Sequence, residues 1–177
     1  ETELLAWMCV KPTEGAERSL VCIPGTHTKW VEVCGSEVVR FQTSVVGEVF
    51  DLLTRNGVLA KRNGDDGEIA SEESFMEGVM AGLSQPENLL HLLMSVRART
   101  IFGEQDPHHA SDRLSGLLIG ADVATALNLA NFTDDNALPV IGESRLARRY
   151  ALALSAKGAN PLTMNAQSIG LMGLVDV

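Results

Sequence analysis

Leu20-Val21-Cys22-Ile23-Pro24-Gly25-Thr26-His27-Thr28-Lys29-Trp30-Val31 is the stretch from which the rest of the chain is read. Residues 20–23 form a continuous apolar run, the pattern of a strand buried on both faces. Pro24-Gly25 then turns the chain, and Gly25 lets a ligand approach the backbone with no Cβ in the way. From Thr28 the pattern alternates, with Lys29, Val31 and Val33 on one side and Thr28, Trp30 and Glu32 on the other. The expectation is strand, tight polar turn, strand. Thr26, His27 and Thr28 add side-chain donors to the backbone N–H groups of that turn, and Lys29 adds a positive charge, an inventory that suits a phosphate. An ordinary hairpin turn uses the same Pro-Gly-Thr, so on spacing alone both readings stand. No G-x-x-x-x-G-K-[ST] occurs, so this is not a Walker loop.

Working outward, Gly35-Ser36 turns the chain into 37–43, where Val39 and Phe41 share a face with Thr43. Three short strands joined by tight turns make an antiparallel meander. Residues 45–56 read as a helix, since Val46, Val49, Phe50 and Leu53 recur at helical spacing and Asn56-Gly57 supplies a stop. The stretch 61–68 (K-R-N-G-D-D-G-E) has no apolar residue and is expected to be a surface loop. Residues 71–83 form a short helix with Phe75, Val79 and Leu83 inward. Ser84-Gln85-Pro86-Glu87 has the capping-box pattern and opens a further helix carrying Leu89, Leu90, Leu93, Val96 and Ile101. The two are expected to pair as a helical-hairpin insertion over 71–102. Asp106, His108 and His109 fall in a loop at 103–110, where adjacent histidines diverge, so no metal site is expected.

Ser111 is read as the cap of the longest helix, 112–131, with Leu114, Leu117, Leu118 and Ala121 as its core stripe. Gly116, Gly120 and Ala124 make a second stripe with almost no side-chain height. Pro139-Val140-Ile141-Gly142 is a short buried strand, followed by Glu143-Ser144 and a helix at 145–157, with Ser144 as N-cap and Gly158 just past the C-terminus. A last strand near 162–164 and a helix from Asn165 or Ala166 close the chain.

The 177 residues suffice for one domain with a sizeable core. The composition, 45% hydrophobic and 21% charged, is that of a soluble globular protein, and no apolar run is long enough to span a membrane. No leader pattern follows Glu1, so no signal peptide is expected, and the lack of an initial Met suggests a chain cut or processed. Residues 1–8 (E-T-E-L-L-A-W-M) look like a helix caught partway. With 14 basic against 23 acidic residues the formal charge is -9, which repels nucleic acid and anionic lipid; an anionic ligand must be held by a local arrangement. The odd count of 3 cysteines, without metal spacing, reads as reduced thiols of a cytoplasmic protein.

Several segments resemble one family. Pro24-Gly25-Thr26-His27-Thr28-Lys29-Trp30-Val31 looks like the P-G-T-H-x-K-W-V signature of 2-dehydro-3-deoxygalactonokinases, and Phe41-Gln42-Thr43-Ser44-Val45-Val46-Gly47-Glu48 resembles their F-x-T-x-x-T-G-E segment. Leu114-Ser115-Gly116-Leu117-Leu118-Ile119-Gly120-Ala121-Asp122-Val123 resembles their L-S-G-L-L-I-G-A-E-V helix. Ile141-Gly142 through Arg149-Tyr150 resembles the strand, turn and R-Y helix after it, and Glu1-Thr2-Glu3-Leu4-Leu5 the segment ahead of the second domain. Val46 stands for the family's Thr, removing a hydroxyl, and Asp122 for its Glu.

The resemblance implies a ribonuclease H-like α/β domain of the sugar kinase, Hsp70 and actin superfamily, with 1–177 as the C-terminal half of a two-domain kinase. It implies ATP- and Mg²⁺-dependent phosphorylation of 2-dehydro-3-deoxy-D-galactonate on its 6-hydroxyl, in galactonate degradation. The partners are then the sugar acid, ATP and the chain's own N-terminal domain, which carries the catalytic base and most sugar contacts; this half alone is expected to be inactive. A non-catalytic nucleotide sensor of the same superfamily would keep the same motifs. Gly25, Thr26, His27 and Lys29 are the expected phosphate ligands, with Lys29 able to face solvent instead and His27 able to act as a turn cap. Gly142, Glu143 and Ser144 are expected at the nucleotide, where a strand end meets a helix start. Gly116 and Gly120 either admit adenosine or let a neighbouring helix pack closely. Glu48 either supports Mg²⁺ through water or complements its own helix N-terminus.

Overall fold

The computed structural model describes residues 18–61, 68–130 and 137–165. The helix expected at 1–8, Cys9, nearly all of the 61–68 loop and the helix expected beyond Asn165 lie outside them. Strands β1 (Arg18–Ile23), β2 (Thr28–Cys34) and β3 (Glu37–Ser44) form the expected meander, both pairings antiparallel, with Ile23 opposite Lys29 and Val31 opposite Phe41. Gly35 takes φ 60° in the β2–β3 turn, where an L side chain would be strained. Four helices follow: α1 (Val46–Arg55), α2 (Glu72–Ser84), α3 (Leu89–Ile101) and α4 (Ala110–Leu129). Then come β4 (Ala137–Gly142), α5 (Ser144–Ala156) and β5 (Asn160–Asn165). β4 runs parallel to β1 and β5 parallel to β4, so the sheet is mixed, in the order β3-β2-β1-β4-β5.

β1 is buried on both faces, as its unbroken apolar run requires. Leu20 and Cys22 join Trp30, Leu138 and Val140 beneath α2, α4 and α5, while Val21 joins Val31, Val33 and Ile141 on the opposite face. α4 is the axis of the helical layer and is buried nearly all round. Leu114, Leu117 and Leu118 meet α1 and α3, and Ile119 and Val123 meet the sheet-side core. None of the described helices is long and apolar enough to cross a membrane.

The glycine stripe of α4 is filled by α2. A Cβ on Gly116 would stand 2.0 Å from the Phe75 carbonyl oxygen, and one on Gly120 2.4 Å from that of Val79. Reciprocally, Gly78 and Gly82 would meet the carbonyl oxygens of Arg113 and Leu117 at 2.2 and 2.3 Å. The two backbones therefore touch along the seam. This corrects the expected hairpin: α2 lies along α4, and its contact with α3 is slight.

Several caps differ from expectation. Ser84 is the last residue of α2, its Oγ donating to the Ala81 carbonyl at 3.0 Å, so no capping box forms; a 3₁₀ turn, Pro86–Asn88, leads into α3. Leu90 and Ile101 point outward, 80% and 63% exposed, and Val96 is the buried residue of α3. Ser111 lies inside the first turn of α4, whose N-cap is His109. Asp106 accepts the His108 N–H at 2.8 Å and so caps a 3₁₀ turn, Pro107–His109. Glu143, not Ser144, caps α5, its carboxylate accepting the N–H groups of Arg145 at 3.1 Å and Leu146 at 3.2 Å. Ser71, expected as the first residue of its helix, is instead the N-cap of α2, its Oγ accepting the Ser74 N–H at 3.2 Å, while Gly158 follows α5 with φ 91°, as expected.

Gly116→Ala tests the seam. Helix propensity alone favours alanine by about 1 kcal/mol. Overpacking against backbone, which cannot swing aside, outweighs it at about 1–3 kcal/mol or more. Urea denaturation is expected to show a net loss of stability; an unchanged or raised midpoint would mean the two helices stand further apart.

Candidate functional site

A cleft of about 690 Å³ opens between the β1–β2 turn, α1, and the first turns of α4 and α5. The turn contributes Gly25 and Thr26, and α1 contributes Gly47, Glu48 and Asp51. Gly47 is where the turn rests on the helix: a Cβ there would stand 2.6 Å from the Gly25 carbonyl oxygen and 2.7 Å from Thr26 Cα. The Glu48 N–H donates to the Thr26 carbonyl at 3.1 Å, and Glu48 Oε2 lies 2.8 Å from His27 Nε2, both side chains half-exposed.

Beneath the turn runs a polar network. Tyr150 donates its hydroxyl proton to Asp122 Oδ2 at 2.9 Å, and the Trp30 indole N–H reaches the same oxygen at 3.1 Å. Thr28 Oγ1 is 2.8 Å from the Tyr150 oxygen. Because the one tyrosine proton is engaged with Asp122, the threonine hydroxyl is the donor in that contact. Burial raises the Asp122 carboxyl above the usual carboxylate range, against the hydrogen bonds that favour its charged form. Burial, then the Asp122 charge, holds the Tyr150 hydroxyl well above its ordinary value, and the same two causes raise the Cys22 thiol.

The floor of the cleft carries a buried arginine. Arg149 Nη1 donates to Ser115 Oγ at 2.6 Å, Nη2 lies 3.8 Å from Asp112 Oδ1, and the guanidinium carbon sits 5.7 Å from the centroid of the Phe75 ring. Asp112 Oδ2 accepts the N–H groups of Ala70 at 3.0 Å and Ser71 at 2.9 Å, fixing the entry to α2. The sequence reading placed neither residue here. The signal for Arg149 was present: it falls at helical spacing with Leu146, Tyr150 and Ala153, a charge on an otherwise apolar stripe.

Of the residues expected at the site, Gly25, Thr26, Glu48 and Glu143 line the cleft. Lys29 does not: the pleat of β2 sends it to the sheet face of Val31 and Val33, away from Thr28 and Trp30. Gly142 and Ser144 border a separate hollow of about 520 Å³ beside α5 and β5. The missing Cβ of Gly142 would sit 3.2 Å from the Pro24 ring, so this glycine makes room for the turn itself. Gly116 and Gly120 face α2 backbone and are closed to a nucleotide. Among the described residues no group of three or more His, Cys, Asp and Glu is placed to hold a metal ion.

The chain resembles known proteins in sequence and fold. The family model described as 2-keto-3-deoxy-galactonokinase matches residues 1–177. The probable 2-dehydro-3-deoxygalactonokinase DgoK1 of Rhizobium meliloti (strain 1021) is 34% identical over 161 residues, covering 90% of this chain and 52% of that protein. The 2-dehydro-3-deoxygalactonokinase of Escherichia coli (strain K12) is 31% identical over 160 residues, covering 90% and 51%. A crystal structure from Sinorhizobium meliloti, provisionally named 2-dehydro-3-deoxygalactonokinase, superposes with a TM-score of 0.85 at 32% identity, covering 99% of this chain and 57% of that one. The chain thus spans about half the length of the curated relatives it matches. It belongs to the 2-keto-3-deoxy-galactonokinase family.

The raised Asp122 carboxyl sets a pH dependence. The folded state binds the proton more tightly than the unfolded chain, so this contribution to stability is fully present below the ordinary aspartate value of about 4 and is lost as pH rises through the raised folded value. Asp122→Asn removes that slope. Urea midpoints measured from about pH 4 upward should move in the variant's favour relative to wild type; a constant difference would mean that Asp122 titrates as an ordinary carboxylate.

Proposed function

We propose that this chain is the nucleotide-binding, C-terminal half of an ATP-dependent 2-dehydro-3-deoxygalactonokinase, which phosphorylates the 6-hydroxyl of 2-dehydro-3-deoxy-D-galactonate. The strand order, with an antiparallel meander beside parallel strands, supports the ribonuclease H-like type found in sugar kinases, Hsp70 and actin. The observation that carries the reading is the Gly25-Thr26 turn, which lines the cleft beside open space of nucleotide size.

Phosphoryl transfer asks for positioning and charge neutralisation more than for covalent chemistry. Gly25 and Thr26 orient the β- and γ-phosphates from one side. Arg145 and Arg149, from α5, bring positive charge to the same cleft. The two N–H groups at the start of α5 are already satisfied by Glu143, so that end suits the ribose and base better than the phosphates. Mg²⁺ bound with ATP neutralises phosphate charge; Glu48 and Asp51, on α1 beside the turn, are the carboxylates that would hold it through water. The sugar acid and the catalytic base belong to the N-terminal half, and the enzyme works in the cytoplasm.

In the full-length protein, Thr26→Ala removes one hydroxyl from the phosphate site. Loss of a hydrogen bond to a charged group is worth about 1.5–3 kcal/mol, so kcat/KM for ATP should fall about ten- to hundredfold. The KM for the sugar acid and the melting temperature should hold. Unchanged kcat/KM would remove this turn from the site. The isolated chain should show no turnover, because half a cleft cannot exclude water or carry the acceptor.

A further inference from the structure

We propose that His27 and Glu48 form a positioning clamp that aims the phosphate turn without touching the nucleotide, a proposal that rests on the reading of Gly25-Thr26 as the phosphate site. Three separate contacts tie the turn to the first turn of α1. Gly47 lets the two backbones meet, the Glu48 N–H holds the Thr26 carbonyl at 3.1 Å, and the Glu48 carboxylate holds His27 Nε2 at 2.8 Å. Residues 26 and 27 are thus gripped by backbone and side chain of the same residue, Glu48.

The direction of this grip matters. Every described peptide is trans, and in a trans peptide the carbonyl and the following N–H point opposite ways. With the Thr26 carbonyl turned onto α1, the His27 N–H points away from α1, so the orientation of this peptide, and of Thr26 beside the cleft, is set by the grip. The imidazole itself is committed to Glu48 at the outer edge of the turn. His27 therefore acts through peptide orientation, and Glu48 acts through His27, in addition to any water-mediated role toward Mg²⁺. A peptide rotated away from this orientation would present its carbonyl oxygen, which repels a phosphate.

The experiment is a double-mutant cycle in the full-length enzyme, read as kcat and KM for ATP and for the sugar acid, with Thr26→Ala as the site control. His27→Ala and Glu48→Ala should each lower kcat/KM for ATP about tenfold, as misplacement of reacting groups by a fraction of an ångström does. The double variant should be no worse than the poorer single one, since both break one contact. His27→Gln, which keeps a donor near the Nε2 position, should recover most of the loss, and the sugar-acid KM should stay within about twofold. Effects that multiply in the double variant would mean that the two residues act separately, overturning the clamp. So would wild-type kinetics for both single variants while Thr26→Ala is impaired. If Thr26→Ala is also unimpaired, the phosphate-site reading itself fails, and the clamp with it.

Discussion

One carboxylate oxygen, Asp122 Oδ2, receives both the indole N–H of Trp30 and the hydroxyl of Tyr150. Those groups come from β2, α4 and α5, elements far apart in sequence that meet only if sheet and helices are stacked in one arrangement. The surrounding core of Leu20, Cys22, Val123, Ala153 and Leu154 supplies most of the driving force, but apolar contact is not directional and tolerates sliding. A buried acceptor with two donors tolerates much less, because any displacement leaves a polar group without a partner where water cannot replace it. Thr28 extends the network to the strand that leaves the Gly25-Thr26 turn, so the constraint that orders the core also fixes where the turn ends.

Glycine does related work at two contacts, each a backbone-to-backbone approach. Along α2 and α4 the four glycines bring the helices together so closely that carbonyl oxygens fill the places of side chains. At Gly47 the same device seats the turn on α1. The helix seam has a consequence for the site, since α4 carries Asp112 and Ser115 on its cleft side while its glycine side is locked to α2. Asp112 accepts from the backbone just ahead of α2 and faces Arg149, so the cleft floor inherits the rigidity of the seam.

Much of this was legible in the sequence, for reasons that can be named. The meander shows because period-two alternation and Pro-Gly punctuation are local signals, and because β1, central in the sheet, must be apolar throughout. The polar turn shows because Pro24-Gly25-Thr26 sit in consecutive residues. What failed to show depends on partners distant in the chain. Ser84 satisfies a capping-box spacing, yet it belongs to the helix before it, and a four-residue pattern cannot register where that helix ends. Glu143 displaced Ser144 as cap because the longer side chain folds back onto two N–H groups. A stripe of small residues such as Gly116 and Gly120 reads alike whether a helix or a ligand lies against it. Lys29 was in view as a charge beside the turn, and only the pleat decides its side of the sheet. Arg149 needed the opposite inference, that a charge on an apolar stripe marks a buried polar contact.

The charge of the chain poses a last problem, since a formal charge of -9 works against any anionic ligand. Nor do the arginines of the cleft answer it by number. Arg55 is paired with Asp51 at 2.8 Å and Arg149 faces Asp112 at 3.8 Å, so much of their charge is neutralised within the protein. What remains at the rim are the charge of Arg145 and the peptide dipoles of the turn, the latter held in orientation by α1. Dipoles add no net charge, so they attract an anion only at contact distance and only in the orientation in which they are fixed. A site built this way gains little from long-range steering and depends on the rigidity of its support. That accounts for the Gly47 contact, the Glu48 bond to Thr26 and the Thr28–Tyr150–Asp122 network all converging on the four residues between β1 and β2 and the first residue of β2.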